Sequence, residues 1–135
     1  MSRWEQHRMA ERVRAALQAV HINNPDGHAF GGPFVSSYQI AIAIDAADPD
    51  LKVALGKPVG GAGAGVHHSL AQYISNELSK QIRAARDRGQ QHDIEGVFMS
   101  NERVRGVTYR GNEGDIDSSL AGSDFDMALY RLRAR

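Results

Sequence analysis

The chain has 135 residues, no cysteine, and 16 basic side chains against 16 acidic ones. That length suits a single domain, residues 1–135, able to bury a core without staples. The lack of cysteine excludes disulfides and thiolate metal sites. Charge balance argues against a dedicated, strongly basic nucleic-acid binder, but the charge is unevenly spread. Residues 1–22 and 66–92 each carry net +2, and residues 23–65 and 93–135 each carry net −2. The charged start through Arg8 has no apolar stretch behind it, unlike a signal peptide. The longest aliphatic run, Ile40 to Ile44, is far too short to span a bilayer. The expectation is a cytoplasmic protein without a membrane partner.

Ser2 is positioned to cap a first helix running to about Val20. Met9, Val13, Ala16, Leu17 and Val20 recur at helical spacing, with Arg3, Arg8, Glu11, Arg12 and Arg14 off that stripe. Trp4 also falls off the stripe. It is either a contact for a partner, part of a frayed terminus, or a ring packed on a neighbouring loop. Asn23-Asn24-Pro25-Asp26-Gly27 is a dense turn signal. From Phe34 to Ala47 two periods compete: Ile40, Ile42 and Ile44 alternate as in a strand, whereas Phe34, Tyr38, Ala41, Ile42 and Asp45 fit a helix. Alanines at 41, 43, 46 and 47 favour the helix. Asp48-Pro49-Asp50 ends it or caps a short helical turn over Leu51 to Leu55.

Gly56 to Gly65 contains five glycines and reads as a loop. A long amphipathic helix follows, from about Val66 to Arg86, with Leu70, Ile74, Leu78 and Ala85 as its apolar stripe and Tyr73 and Ile82 widening it. Arg88-Gly89 fits a helix stop. β-Branched and aromatic residues then predict strands over Ile94 to Ser100 and Val104 to Arg110. Gly111 to Gly114 is a turn, Ile116 to Leu120 a short strand, and Phe125 to Leu132 alternates as a strand should. The fold class is therefore α+β: helical for the N-terminal two thirds, then a small antiparallel sheet.

On a helical wheel, Gln72, Ser75, Asn76, Ser79, Arg83 and Arg86 share the face opposite the apolar stripe, flanked by His68, Ser69 and Lys80. No carboxylate enters this face before Asp87. Amides, hydroxyls and guanidinium groups without a repelling charge suit phosphates and base edges. Helix, second helix, turn, polar-faced third helix and strand hairpin resembles the order of winged helix-turn-helix domains. In that resemblance Phe34 to Ala47 is the second helix and the run from Ser69 to Leu78 opens the recognition helix. Ile94 to Arg110 is then the wing, with Asn101-Glu102-Arg103 at its tip. The resemblance implies a non-enzymatic DNA-binding or regulatory domain. Gln72, Asn76, Ser79, Arg83 and Arg86 would face double-stranded DNA, with Lys80, Arg103 and Arg105 on phosphates.

Other readings compete. Winged-helix scaffolds also serve as docking or oligomerisation modules, and zero net charge suits a protein partner or a homodimer. The final strand would pair across a dimer if it lay at a sheet edge. Gly61-Ala62-Gly63-Ala64-Gly65 precedes a helix N-terminus, a place for phosphate, but lacks the spacing of a nucleotide loop. His67 and His68 are adjacent, so they diverge on a helix and do not chelate one ion. Ser69 has no triad partner at hand. Pro25-Asp26 with Asp50-Leu51-Lys52 resembles the PD-(D/E)xK pattern of metal-dependent nucleases, in which Asp26 and Asp50 would hold the ion beside Lys52. That pattern requires its second part on a strand. Asp45, Asp48 and Asp50 lack the spacing of a calcium loop. Asp115, Asp117, Asp124 and Asp126 read as solvated turns and the wet face of a strand. No catalytic residue, metal site or cofactor is expected.

Overall fold

A computed structural model describes residues 1–23, 29–60, 69–118 and 126–133. The Ser2 hydroxyl accepts from the Glu5 N–H at 3.2 Å and so caps the first helix. That helix is not continuous to Val20. It divides into α1 (Arg3–Gln6) and α2 (Met9–Gln18), with Arg8 between them in the left-handed region at φ 53°. On one straight helix Trp4 would point away from the Met9, Val13, Leu17 stripe. The break turns it inward, where it is 7% exposed and meets Tyr73 edge-on at 5.6 Å between ring centroids. Burying an indole is worth about 2–3 kcal/mol, more than the roughly 1–2 kcal/mol cost of one left-handed non-glycine residue.

The ambiguous 34–47 stretch resolves into two residues of strand and a helix, β1 (Val35–Ser36) and α3 (Ser37–Ala47). Ser36 and Gln39 form a reciprocal capping box: the Ser36 hydroxyl accepts from the Gln39 N–H, and Gln39 Oε1 accepts from the Ser36 N–H at 2.8 Å. A short α4 (Leu51–Leu55) stops at Gly56, whose φ of +66° favours glycine. The Ser69 hydroxyl accepts from the Gln72 N–H at 3.0 Å and starts α5 (Leu70–Asp87). The expected start at Val66, the glycines at 61, 63 and 65, and His67 and His68 lie outside the described residues.

Two antiparallel sheets follow. β2 (Ile94–Met99) pairs with β5 (Met127–Leu132) from Ile94 opposite Leu132 to Met99 opposite Met127. β1 adds to the far side of β5, giving the order β1-β5-β2. β3 (Thr108–Arg110) and β4 (Asp115–Asp117) form a separate two-stranded ribbon. The fold is thus α+β, with its sheet assembled after the helical part. Two expectations change. The segment from Ile94 to Arg110 does not close into a hairpin, because β2 takes β5 as its partner. β5 offers the buried Met127 and Tyr130, whereas Val104 to Arg110 brings Arg105, Gly106 and Arg110. The final strand is central, with β1 and β2 at the two edges, so the edge position that pairing across a dimer required is not met by it.

The core lies between α2, α3 and α5 and the sheet. Met9, Val13, Ile40, Leu70, Ile74, Leu78 and Tyr130 are all fully enclosed in it. Tyr38 of α3 stacks on Tyr109 of β3 at 5.3 Å, which seats the ribbon against the main body. Among the described residues no helix is long and apolar enough to cross a membrane.

Candidate nucleic-acid interface

Tyr130 decides how α5 lies on the sheet. Its ring is 1% exposed, and a buried phenol needs partners for its hydroxyl. It finds Ser75 Oγ at 2.9 Å and Ser79 Oγ at 3.1 Å, one turn apart on α5. One flank of the polar face is therefore pinned to β5 instead of standing wholly in solvent. The pairing fixes the helix over the strand faces that carry Gly96 and Ala128.

A recess of about 260 Å³ remains between α5 and these strands. Its helix wall is Ser79, Ile82, Arg83 and Arg86, and its sheet wall includes Gly96, Phe98 and Ala128. Gly96 faces the helix: a Cβ there would stand 3.4 Å from Ile82 Cδ1 and 3.7 Å from the Tyr130 ring. Strand alternation puts Phe98 on the same face, opposite Ala128 in register. Phe98 is 75% exposed and its neighbour Val97 39%. Arg83 has no ion pair among the described residues. Arg86 Nε stands 3.8 Å from Asp87, too far for a strong contact. Among the described residues no carboxylate lines the recess.

Of the expected contact residues, Ser79, Arg83 and Arg86 come together here. Gln72 and Asn76 lie further toward the start of α5 and bond to each other, Gln72 Nε2 donating to Asn76 Oδ1 at 3.0 Å. Lys80 is exposed and leans 3.6 Å from Glu77. Arg103, at φ 64°, and Arg105 are exposed in the segment after β2 and do not line the recess. Sequence reading did not single out Phe98 and Gly96, which it counted as strand and wing residues. The signal available was an aromatic two positions from a glycine, on one face of one strand.

A second cluster surrounds Lys52. Its Nζ donates to Glu113 Oε1 at 3.1 Å and stands 3.4 Å from Oδ1 of the buried Asp45, an oxygen with this ion pair and no hydrogen bond among the described residues. Asn112 Nδ2 donates to Asp45 Oδ2 at 3.1 Å and to the Ile42 carbonyl at 2.9 Å. The bond to Glu113 raises the Lys52 pKa above its ordinary value, partial desolvation works against it, and Asp45 adds to the rise. Lys52 is thus a firm cation, not a base, and it clamps α3 and α4 to the β3–β4 turn. The nuclease pattern fails on this geometry. Asp50 precedes a helix and Lys52 lies within it, so the required strand is absent; Asp26 lies outside the described residues. Among the described residues no three His, Asp or Glu side chains gather as a metal site.

Comparison with protein-family models, curated proteins and solved structures found no match for the chain.

Proposed function

We propose that this chain is a winged-helix-like, non-enzymatic domain that binds nucleic acid through α5 and acts in regulation within the cytoplasm. The observation that carries this reading is the pair Arg83 and Arg86 beside a recess that no carboxylate of the described residues lines. Guanidinium groups fork onto phosphate oxygens and are less strongly hydrated than ammonium groups, so they suit this task. Gln72 and Asn76 extend the polar face toward base edges, and Lys80, Arg103 and Arg105 supply outlying phosphate contacts. The test is binding of the purified protein to labelled random-sequence DNA, duplex and single-stranded, at low and moderate salt. The expected result is binding that weakens with salt and is largely lost in Arg83→Ala/Arg86→Ala. No binding of either form at low salt refutes the proposal.

A second reading, a docking or oligomerisation module, is favoured by one feature: β2 is an edge strand with Val97 and Phe98 exposed. Such an edge offers free backbone groups to a partner strand. Sedimentation across a concentration series measures it; a chain that remains monomeric excludes the homodimer form.

A further inference from the structure

A phenylalanine on an edge strand is usually shielded or replaced. Phe98 is neither, and its surroundings keep its face open. Its cross-strand neighbour is Ala128, and the next residue on its own face is Gly96. Strands favour bulky branched side chains at such positions, and any of them would fill the recess. At about 260 Å³ the space falls just below the usual range for drug-sized ligands, roughly 300–1,000 Å³, and is of a size for one flat ring. The opposite wall supplies positive charge from Arg83 and Arg86, beside Ser79, whose hydroxyl is shared with Tyr130.

We propose that this recess takes an unpaired base of a single-stranded nucleic acid, stacked on Phe98, with flanking phosphates on Arg83 and Arg86. The inference rests on the nucleic-acid reading of α5 and narrows it. Within a duplex both faces of a base are covered by its neighbours, so an exposed aromatic ring has nothing to stack on. An unpaired base offers a free face, and every base has one, so this contact tolerates any sequence. The two arginines meet the backbone that must run past the ring. DNA and RNA single strands share this chemistry.

The test measures anisotropy of labelled single strands of about twelve nucleotides, oligo-dT and oligo-rU, and of a duplex of equal length. The proteins are the wild type, Phe98→Ala, Phe98→Leu, Phe98→Trp and Arg83→Ala/Arg86→Ala. Because Phe98 is largely exposed, its variants should fold, and thermal melts verify this. Single strands are expected to bind more tightly than duplex. Phe98→Ala and Phe98→Leu should each weaken them roughly tenfold or more. Phe98→Trp should retain binding, with the introduced indole quenched by stacking. A preference between oligo-dT and oligo-rU identifies which strand is the source. If Phe98→Ala or Phe98→Leu binds single strands like the wild type while the arginine variant loses them, stacking is overturned and the reading of α5 stands. If no nucleic acid binds, both fall. Self-association abolished by Phe98→Ala, in place of strand binding, assigns the face to a second copy and overturns the inference.

Discussion

His92 stands just before β2, where its Nδ1 accepts the Ile94 N–H at 3.0 Å. An imidazole can accept there only while that nitrogen is unprotonated. Desolvation lowers its pKa below the ordinary 6.5, with Arg14 and Arg133 assisting and Asp93 opposing. A basic group with a depressed folded-state value stabilises the fold in full above 6.5, and that contribution is lost as pH falls from there through the lowered value. The melting temperature should therefore drop between pH 7.5 and 5.5, on the order of the interval around the imidazole value. His92→Asn, whose side-chain oxygen can accept the same N–H, should flatten that part of the profile. An unchanged profile refutes the assignment. Tyr130 gives a second residue-level expectation. Tyr130→Phe keeps the packed ring but removes the hydroxyl shared by Ser75 and Ser79. The cost should be about 1 kcal/mol, read from the urea midpoint. A loss several times larger would mean that α5 shifts on the sheet.

At the scale of elements, the Lys52 clamp joins pieces far apart in sequence: Asp45 of α3, Lys52 of α4 and the turn carrying Asn112 and Glu113. Lys52→Met should lower the melting temperature, because it leaves the Asp45 carboxylate buried with Asn112 as its remaining partner among the described residues. Adding Asp45→Asn should restore much of the loss, since the uncompensated charge is then gone. Additive losses would refute the clamp. None of this was legible in the sequence, where Asp45 reads as one acid among several near Asp48 and Asp50. The helices were legible, because Leu70, Ile74 and Leu78 repeat at a local period that needs no knowledge of the fold. The Ser2 cap was legible for the same reason. Strand positions were partly legible from composition, but pairing is a long-range choice: nothing local in Ile94 to Met99 indicates that β5, some thirty residues on, wins over the nearby Thr108 to Arg110. The candidate site divides likewise. Arg83 and Arg86 could be read from one helix. Phe98 showed only as an aromatic two positions from a glycine, because its place at the recess depends on Ala128 across the strand and Ile82 above Gly96.

For the whole molecule, balanced charge sets the kind of binding to expect. With 16 positive and 16 negative side chains there is little long-range field to draw in a polyanion. On the proposed reading, affinity would come from the local pair Arg83 and Arg86 and from contacts that salt does not screen, such as a ring on a base. That has a measurable consequence. Each phosphate neutralised on a single strand contributes about −0.7 to the slope of log affinity against log salt. Two arginines give about −1.4, and the part of the affinity due to stacking should survive at high salt. Phe98→Ala should lower affinity at every salt concentration and leave the slope unchanged, whereas Arg83→Ala/Arg86→Ala should flatten it. A slope of about −3 or steeper in the wild type would instead bring Lys80, Arg103 and Arg105 into the footprint. The loop after β2 would then act as a wing without being a hairpin, and charge variants at Arg103 and Arg105 should bring the slope back toward the two-arginine value.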